Sequence, residues 1–284
     1  MDNRRRASTV LTMARLSFTK MNGAGNDFVL LDNRQGALHL DGAAIARLCD
    51  RHRGVGADGV LLLEPAEHDA DHRMRYYNAD GGEAEMCGNG ARCFARFTNR
   101  LAGANGNLSF ETPAGVIRAE FLDGDRVRID MVPPSHYSPN LSLAVEGTPQ
   151  TVHAINTGVP HACVFVDDLE HAPVIRLGRA LRLHPEFAPK GTNANFIFAT
   201  GPQSISIRTY ERGVEDETLA CGTGVTASAL IHALLHGATS PVDVKVRGGD
   251  TLQVGFVRGA KPGELSSVTL CGPADFVYTG EIEI

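Results

Sequence analysis

Two stretches of this chain, MCGNGARCFARF at residues 86–97 and ACGTGVTASALI at 220–231, share one plan: a cysteine, a glycine-rich turn, then the apolar spacing of a helix. The approach to each also matches. Arg75, Tyr77 and Asn78 precede Cys87, and Arg208, Tyr210 and Glu211 precede Cys221, with 12 and 13 residues from arginine to cysteine. The two cysteines lie 134 residues apart (221 − 87). That is far beyond the period of a solenoid and in the range of a duplicated domain. The chain therefore reads as two like halves facing each other, each built as strand, acidic glycine-containing loop, CGxG turn and helix.

A helix N-terminus leaves its first backbone N–H groups unpaired and carries partial positive charge. Glycines around it let a ligand approach the backbone, which suits a carboxylate or phosphate. A cysteine placed there is expected to titrate below its usual value of about 8.5. Two such starts facing one cleft would cradle a carboxylate with a sulfur on each side. One thiolate could then remove a proton from the carbon next to the carboxylate. The opposite thiol would return one to the other face, inverting that centre. Backbone N–H groups of both helices would stabilise the carbanion through its carboxylate. Such a scheme requires no metal and no electron-sink cofactor. The four lysines, Lys20, Lys190, Lys245 and Lys261, occupy no recognisable pyridoxal-binding context.

Strand patterns dominate the remainder: 28–33, 59–65, 72–80, 108–122 and 126–132, then 161–169, 193–200 and 204–210. A hairpin is expected at 243–257 around Gly248-Gly249, followed by SVTLCG and FVYTGEIEI. Helices are expected over 42–52, from Cys87 to about Leu101, and from Cys221 to about His236. The Pro-rich VPPSHYSPN at 132–140 is the expected crossing between the halves. Residues 1–15 read as a disordered extension, or as an upstream start ahead of Met13. A content of 43% hydrophobic and 21% charged residues supports a sizeable core and argues against disorder. The net charge of −6, with no basic cluster beyond Arg4–Arg6, speaks against a nucleic-acid partner. The apolar runs are too short to cross a membrane. Six cysteines without a disulfide-scaffold spacing point to free thiols and a reducing cytoplasm.

Other readings compete at each of these residues. A single cysteine is most often a small buried hydrophobe, and that reading suits Cys49, Cys93, Cys163 and Cys271. The matched pair differs, because a merely packed thiol has no need of an exposed glycine turn. Cys87 and Cys93 are spaced too widely for a zinc pair. His232 and His236 share a helix face but lack the glutamate of a metalloprotease motif, so they read as packing or surface groups. GVGADG at 54–59 fits a dinucleotide-binding expression, yet a helix precedes it and a strand follows, the reverse of what that fingerprint needs.

Six ordered motifs together resemble the diaminopimelate epimerase family from about residue 16 to the C-terminus. They are KMNGAGNDFVLLD (20–32), RGVGADG (53–59), NADGGEAEMCGNGARCFA (78–95), GVPH (158–161), NANF (193–196) and YERGVEDETLACGTG (210–224). The resemblance implies an α+β fold of two pseudo-symmetric domains, each a curled mixed or antiparallel sheet around a central helix. The domains would be 16–133, joined by a last strand at about 276–284, and 134–275. It also implies a cofactor-independent, cytoplasmic, homodimeric isomerase that interconverts LL- and meso-diaminopimelate on the route to lysine and peptidoglycan. Carried over by motif, Cys87 and Cys221 are the acid/base thiols. Gly88, Asn89, Gly222 and Thr223 hold the α-carboxylate through backbone groups. Asn26, Asn78, Asn193, Glu211 and Arg212 fall on substrate-contacting positions, Arg212 suiting a distal carboxylate. His161 is an auxiliary group beside the thiols.

The chain departs from that family at three points. Val159 stands where many relatives have asparagine, Gly59 where some have glutamine, and the loop before Cys221 is one residue longer than in some. All three concern distal recognition. Three rival readings remain open. Proline and hydroxyproline racemases typically have histidine at the position of Asn89 and proline at that of Ala220. A dithiol redox protein would need a resolving thiol close in sequence. A non-catalytic amino-acid-binding module could use the same anion cradle.

Overall fold

The computed structural model describes residues 15–103, 106–261 and 263–284. Apart from Arg15, the extension expected at 1–15 lies outside the described residues. The first half contains β1 (Arg15–Gly23), β2 (Asn26–Asp32), α1 (Gly42–Cys49), β3 (Gly59–Glu64), β4 (His72–Asn78), β5 (Glu83–Ala84), α2 (Gly88–Ala102), β6 (Asn107–Thr112), β7 (Gly115–Phe121) and β8 (Arg126–Asp130). The second contains β9 (Ser135–Val145), β10 (Thr148–Asn156), β11 (Pro160–Phe165), α3 (Val174–Arg182), β12 (Asn193–Gly201), β13 (Ser204–Glu211) and β14 (Asp216–Thr218). It continues with α4 (Gly222–His236), β15 (Val242–Lys245), β16 (Thr251–Arg258) and β17 (Leu265–Pro273), and β18 (Asp275–Glu283) closes the chain.

Strand pairing repeats step for step. β1–β2 is antiparallel, β2–β3 parallel, β3–β4 antiparallel, β4–β6 parallel, and β6–β7–β8 antiparallel. The series β10, β11, β12, β13, β15, β16, β17 has the same order of directions. On the outside β10 takes β9, while β1 takes the equivalent strand, β18, from the far end of the chain. The last strands of the two repeats, β8 and β17, pair antiparallel with Asp130 opposite Thr269 and Arg126 opposite Pro273. That is the pairing a local two-fold requires, and it runs one sheet through both halves.

Parallel strands covered on both faces need near-continuous apolar runs, which is what FVLL and GVLLL supply. Phe28 and Leu30 of β2 join Leu61 of β3 in the main core around α2, whereas Val29, Leu31, Val60 and Leu62 pack with Ile45 and Leu48 of α1. α4 is apolar nearly all round and buried from Gly222 to Ala233 except for half-buried Thr223, as a central helix must be. Both central helices run 15 residues and end on a left-handed glycine, Gly103 (φ 69°) and Gly237 (φ 74°). Among the described residues no helix is long and apolar enough to cross a membrane.

The crossing expected at 132–140 is shorter than the sequence suggests. β9 already begins at Ser135. Positive φ at His136 and Asn140 and register slips in its pairing with β10 make it a bulged edge strand, which is how it accommodates Pro139.

Candidate active site

Cys87 and Cys221 are the N-cap residues of α2 and α4, and neither side chain caps its helix. The first intrahelical bonds run from Ala91 N to Cys87 O (2.7 Å) and from Val225 N to Cys221 O (2.8 Å). The N–H groups of residues 88–90 and 222–224 therefore stand outside the ladder. The two starts abut. A Cβ on Gly222 would come within 3.5 Å of Gly88 Cα, and one on Gly88 within 3.8 Å of Gly222 Cα. Both would lie against Leu270, at 3.2 and 3.3 Å. This close approach is what the glycine after each cysteine permits.

A cavity of about 690 Å³ opens in front of these starts. Its lining includes both cysteines together with Asn26, Asn78, Gly88, Asn89, Asn193, Glu211, Arg212, Gly222 and Thr223. His161 stands apart: it is 1% exposed behind the wall, with its Nδ1 facing Asn195 Nδ2 at 3.0 Å. Arg51, Asp58, Tyr76, Asp80 and Thr218 also line the cavity and were not singled out from the sequence. Asp58 belongs to the GVGADG loop, so the feature dismissed as a nucleotide motif supplies part of this wall.

On the Cys87 side the polar groups form a chain. Asn26 Nδ2 donates to Asp58 Oδ2 (2.7 Å), which turns Asn26 Oδ1 toward Cys87 Sγ (3.5 Å) and Asn89 Nδ2 (3.4 Å). Asp58 is held by Arg51 at 2.8 Å, Arg51 also pairs with Asp27 at 2.8 Å, and Lys20 pairs with Asp27 at 2.7 Å. Burial alone would raise the Asp27 carboxyl, but hydrogen bonds from Arg51 and Lys20 overcome it and hold it well below the usual range. On the Cys221 side, Glu211 Oε2 accepts from Thr218 Oγ1 (2.9 Å), and its charge acts on Cys221. Asn193 Oδ1 accepts from Arg212 N (2.7 Å), and Cys221 Sγ lies 3.5 Å from Thr223 Oγ1. One amide spans the halves: Asn89 Nδ2 donates to Ala220 O at 3.1 Å.

The expectation that a helix start makes these thiols acidic is overturned. Burial pushes Cys87 up and outweighs the N–H groups of Gly90 and Asn89. Cys221, 5% exposed, is also pushed up, first by burial and then by the Glu211 charge. Burial and the Arg212 charge drive His161 the other way, down to about 3, so it is neutral. Gly59 has its own cause. A Cβ there would lie 2.5 Å from Tyr77 O and 2.6 Å from the Tyr76 ring, so that wall belongs to Tyr76.

A family model described as Diaminopimelate epimerase matches residues 18–137 and 153–261. The diaminopimelate epimerase of Chlorobaculum tepidum is 43% identical over 267 residues, covering 93% of this chain and 100% of that one. The enzyme of the same name from Aquifex aeolicus is 42% identical over 279 residues, covering 94% and 98%. Among solved structures, a phenazine biosynthesis protein of the PhzF family from Bacillus anthracis aligns with a TM-score of 0.75 at 16% identity, covering 96% of this chain and 100% of that one. A probable proline racemase from Agrobacterium radiobacter K84 aligns at 0.71 and 18% identity, covering 95% and 93%. At such identities these two establish the fold alone: α+β, with two pseudo-symmetric domains. The sequence matches go further, and with them the chain belongs to the diaminopimelate epimerase family of isomerases.

Proposed function

We propose that the protein epimerises LL-2,6-diaminopimelate to meso-diaminopimelate by passing a proton between Cys87 and Cys221. The observation that carries this reading is the placement of two cysteines at abutting helix starts, one from each half, on the wall of a single cavity. The N–H groups of residues 88–90 and 222–224, which lie outside the helical ladder, suit the α-carboxylate of an amino acid. Arg212, Asn78 and Asn193 are the groups available for the second amino-acid head. In the reaction a thiolate takes the proton from the α-carbon as the C–H bond breaks. The opposite thiol gives its proton to the other face, and the sulfur charge ends on that side. The carbanion between these steps is held through its carboxylate by both helix starts. Because burial raises both thiols, the ammonium of an entering substrate has work to do: its charge favours the ionised form of the sulfur beside it.

The lobes in this reading are 16–133 with 276–284, and 134–275. A role in lysine and peptidoglycan precursor supply, a homodimer and a cytoplasmic location belong to the same proposal. The free state of all six cysteines suits a reducing compartment. The outer strand β18, with Val277 and Tyr278 exposed at 55% and 47%, offers an edge for a second copy.

The test is turnover in D₂O. LL-diaminopimelate should gain deuterium at an α-carbon as the meso form appears, and Cys87→Ala and Cys221→Ala should each abolish it while still binding substrate. Turnover of proline with none of diaminopimelate, or full activity in either alanine variant, would overturn the reading.

A further inference from the structure

One strongly charged side chain near the sulfurs has no part in the scheme above. Arg92, on the first turns of α2, is 0% exposed. Its Nη1 donates to Gly88 O (3.2 Å), its Nη2 to Asn89 Oδ1 (3.0 Å) and its Nε to Pro273 O (3.3 Å). All three acceptors are uncharged, and no carboxylate among the described residues pairs with it. A buried cation without an anion is strongly unfavourable, so the site retains it against a cost. The repeat makes the asymmetry plain. The residue 134 positions on (92 + 134) is Thr226, also 0% exposed, whose Oγ1 donates to Gly222 O at 2.9 Å. Both halves thus brace the carbonyl of the first helical residue, but only the first does so with a full positive charge.

We propose that Arg92 is the fixed counter-charge of the site, a positioning residue that places the working anion on Cys87 and leaves Cys221 the protonated partner at rest. The assignment rests on the two-thiol reading. Arg92 acts in two ways. Its charge lies directly behind the turn that carries Cys87. It also fixes the Asn89 amide through Oδ1, so that Nδ2 points across to Ala220 O, one residue before Cys221. By bonding Gly88 O it polarises the Gly88–Asn89 peptide, whose N–H stands outside the helical ladder and acts on Cys87.

The charges around the two sulfurs favour the same division. Cys87 meets Arg92 and the N–H groups of Gly90 and Asn89, opposed by Glu211 from β13 and by Asn26 Oδ1, a weak acceptor. Tyr76 of β4 and Cys221 also lie within electrostatic reach of it. Cys221 feels the Glu211 charge against its thiolate, and the groups in its favour, Thr223 and Gly224 N, are neutral donors. Arg92 itself is surrounded by Cys87 and Cys93, by Cys271 of β17, and by the like charge of Arg126 on β8.

The experiment is the pH dependence of alkylation by iodoacetamide, read separately for Cys87 and Cys221 by peptide mass mapping. Midpoints rather than rates are compared, because the two sulfurs differ in exposure. In the wild type Cys87 should titrate with the lower midpoint; equal midpoints, or Cys221 the lower, would overturn the proposal. Arg92→Gln keeps amide donors and removes the charge. It should raise the Cys87 midpoint by about one pH unit, a tenfold loss of rate below it, and leave Cys221 unmoved. The acid limb of kcat/KM should shift by the same amount. Arg92→Lys should restore the midpoint. If Gln changes nothing, or Lys fails as badly as Gln, Arg92 is a strut and not a counter-charge. Should Arg92→Gln fail to fold, Arg92→Lys decides: a Cys87 midpoint like that of the wild type upholds the counter-charge, and a raised one overturns it. Alkylation reads the charge on Cys87 whether or not that sulfur does chemistry, so failure of the two-thiol reading would show separately, as turnover in the cysteine variants.

Discussion

Replacing Gly224 by alanine should cripple the enzyme, whereas the same change at Gly90, its counterpart in the other half, should be nearly silent. A Cβ on Gly224 would sit 2.5 Å from Asn195 Oδ1, against 3.4 Å for ordinary contact, an overlap of 0.9 Å (3.4 − 2.5). Asn195 cannot swing away. It is 0% exposed, its Oδ1 accepts from Thr209 Oγ1 at 3.0 Å, and its Nδ2 faces His161 Nδ1 at 3.0 Å. The start of α4 must yield instead, and Cys221 moves with it. A misplacement of about 1 Å costs roughly 100-fold in rate. The overpacking costs about 1–3 kcal/mol, which for a chain of this size lowers Tm by roughly 2–4 °C per kcal/mol. At Gly90 the same Cβ meets Phe28 at 3.4 Å and Cys87 Cβ and Leu61 at 3.5 Å. That is ordinary contact, and alanine's better helix propensity, worth up to about 1 kcal/mol, offsets any adjustment. Deuterium wash-in followed by proton NMR, with thermal melts by circular dichroism, reads both effects. Asn195→Ala added to Gly224→Ala removes the obstructing oxygen and should recover part of the loss, a coupling a double-mutant cycle measures. Activity of Gly224→Ala within threefold of wild type at an unchanged Tm would refute the steric reasoning.

Two further outcomes are expected. Mild oxidation with diamide should inactivate the protein reversibly, two thiols giving up two electrons and two protons to form a Cys87–Cys221 bridge; inactive protein in which a peptide map finds both thiols free would contradict this. His161 gives a pH effect. Its folded pKa of about 3 lies below the unfolded value of about 6.5, so the unfolded chain binds the proton more readily. Its contribution to stability is complete above pH 6.5 and is lost as the pH falls toward 3, at about 1.4 kcal/mol per unit. Urea melts between pH 7 and pH 4.5 should show a correspondingly flatter slope in His161→Gln, and parallel slopes would argue against a neutral buried imidazole.

Much of the fold was legible because the chain states its plan twice. Glycine and cysteine at matched positions marked α2 and α4, and the runs FVLL and GVLLL between turn residues read as strands. The elements that escaped notice have local causes. α3 is nine residues long and carries Gly178 in its middle, a helix weakener that the fold needs because a Cβ there would lie 2.4 Å from Tyr210 Cβ. β9 hides behind its prolines. In the site, motifs brought eleven residues to one cavity, but the Arg51–Asp58 pairing that orients Asn26 depends on a loop whose shape no spacing reveals. The acidity of the thiols was misjudged for a similar reason: the helix start is visible in the sequence, whereas desolvation is the sum of every neighbour the fold supplies.

The exchange of an outer strand between the ends of the chain bears on synthesis. β8 is complete at residue 130, yet β1 waits for β18, which begins at 275, 145 residues later (275 − 130). A nascent chain that has made the Cys87 loop therefore still presents an unpaired β1 edge to its surroundings. Its first lobe can be sealed only after the Cys221 lobe has been translated. A product truncated before residue 275 would be left with an open sheet edge at β1.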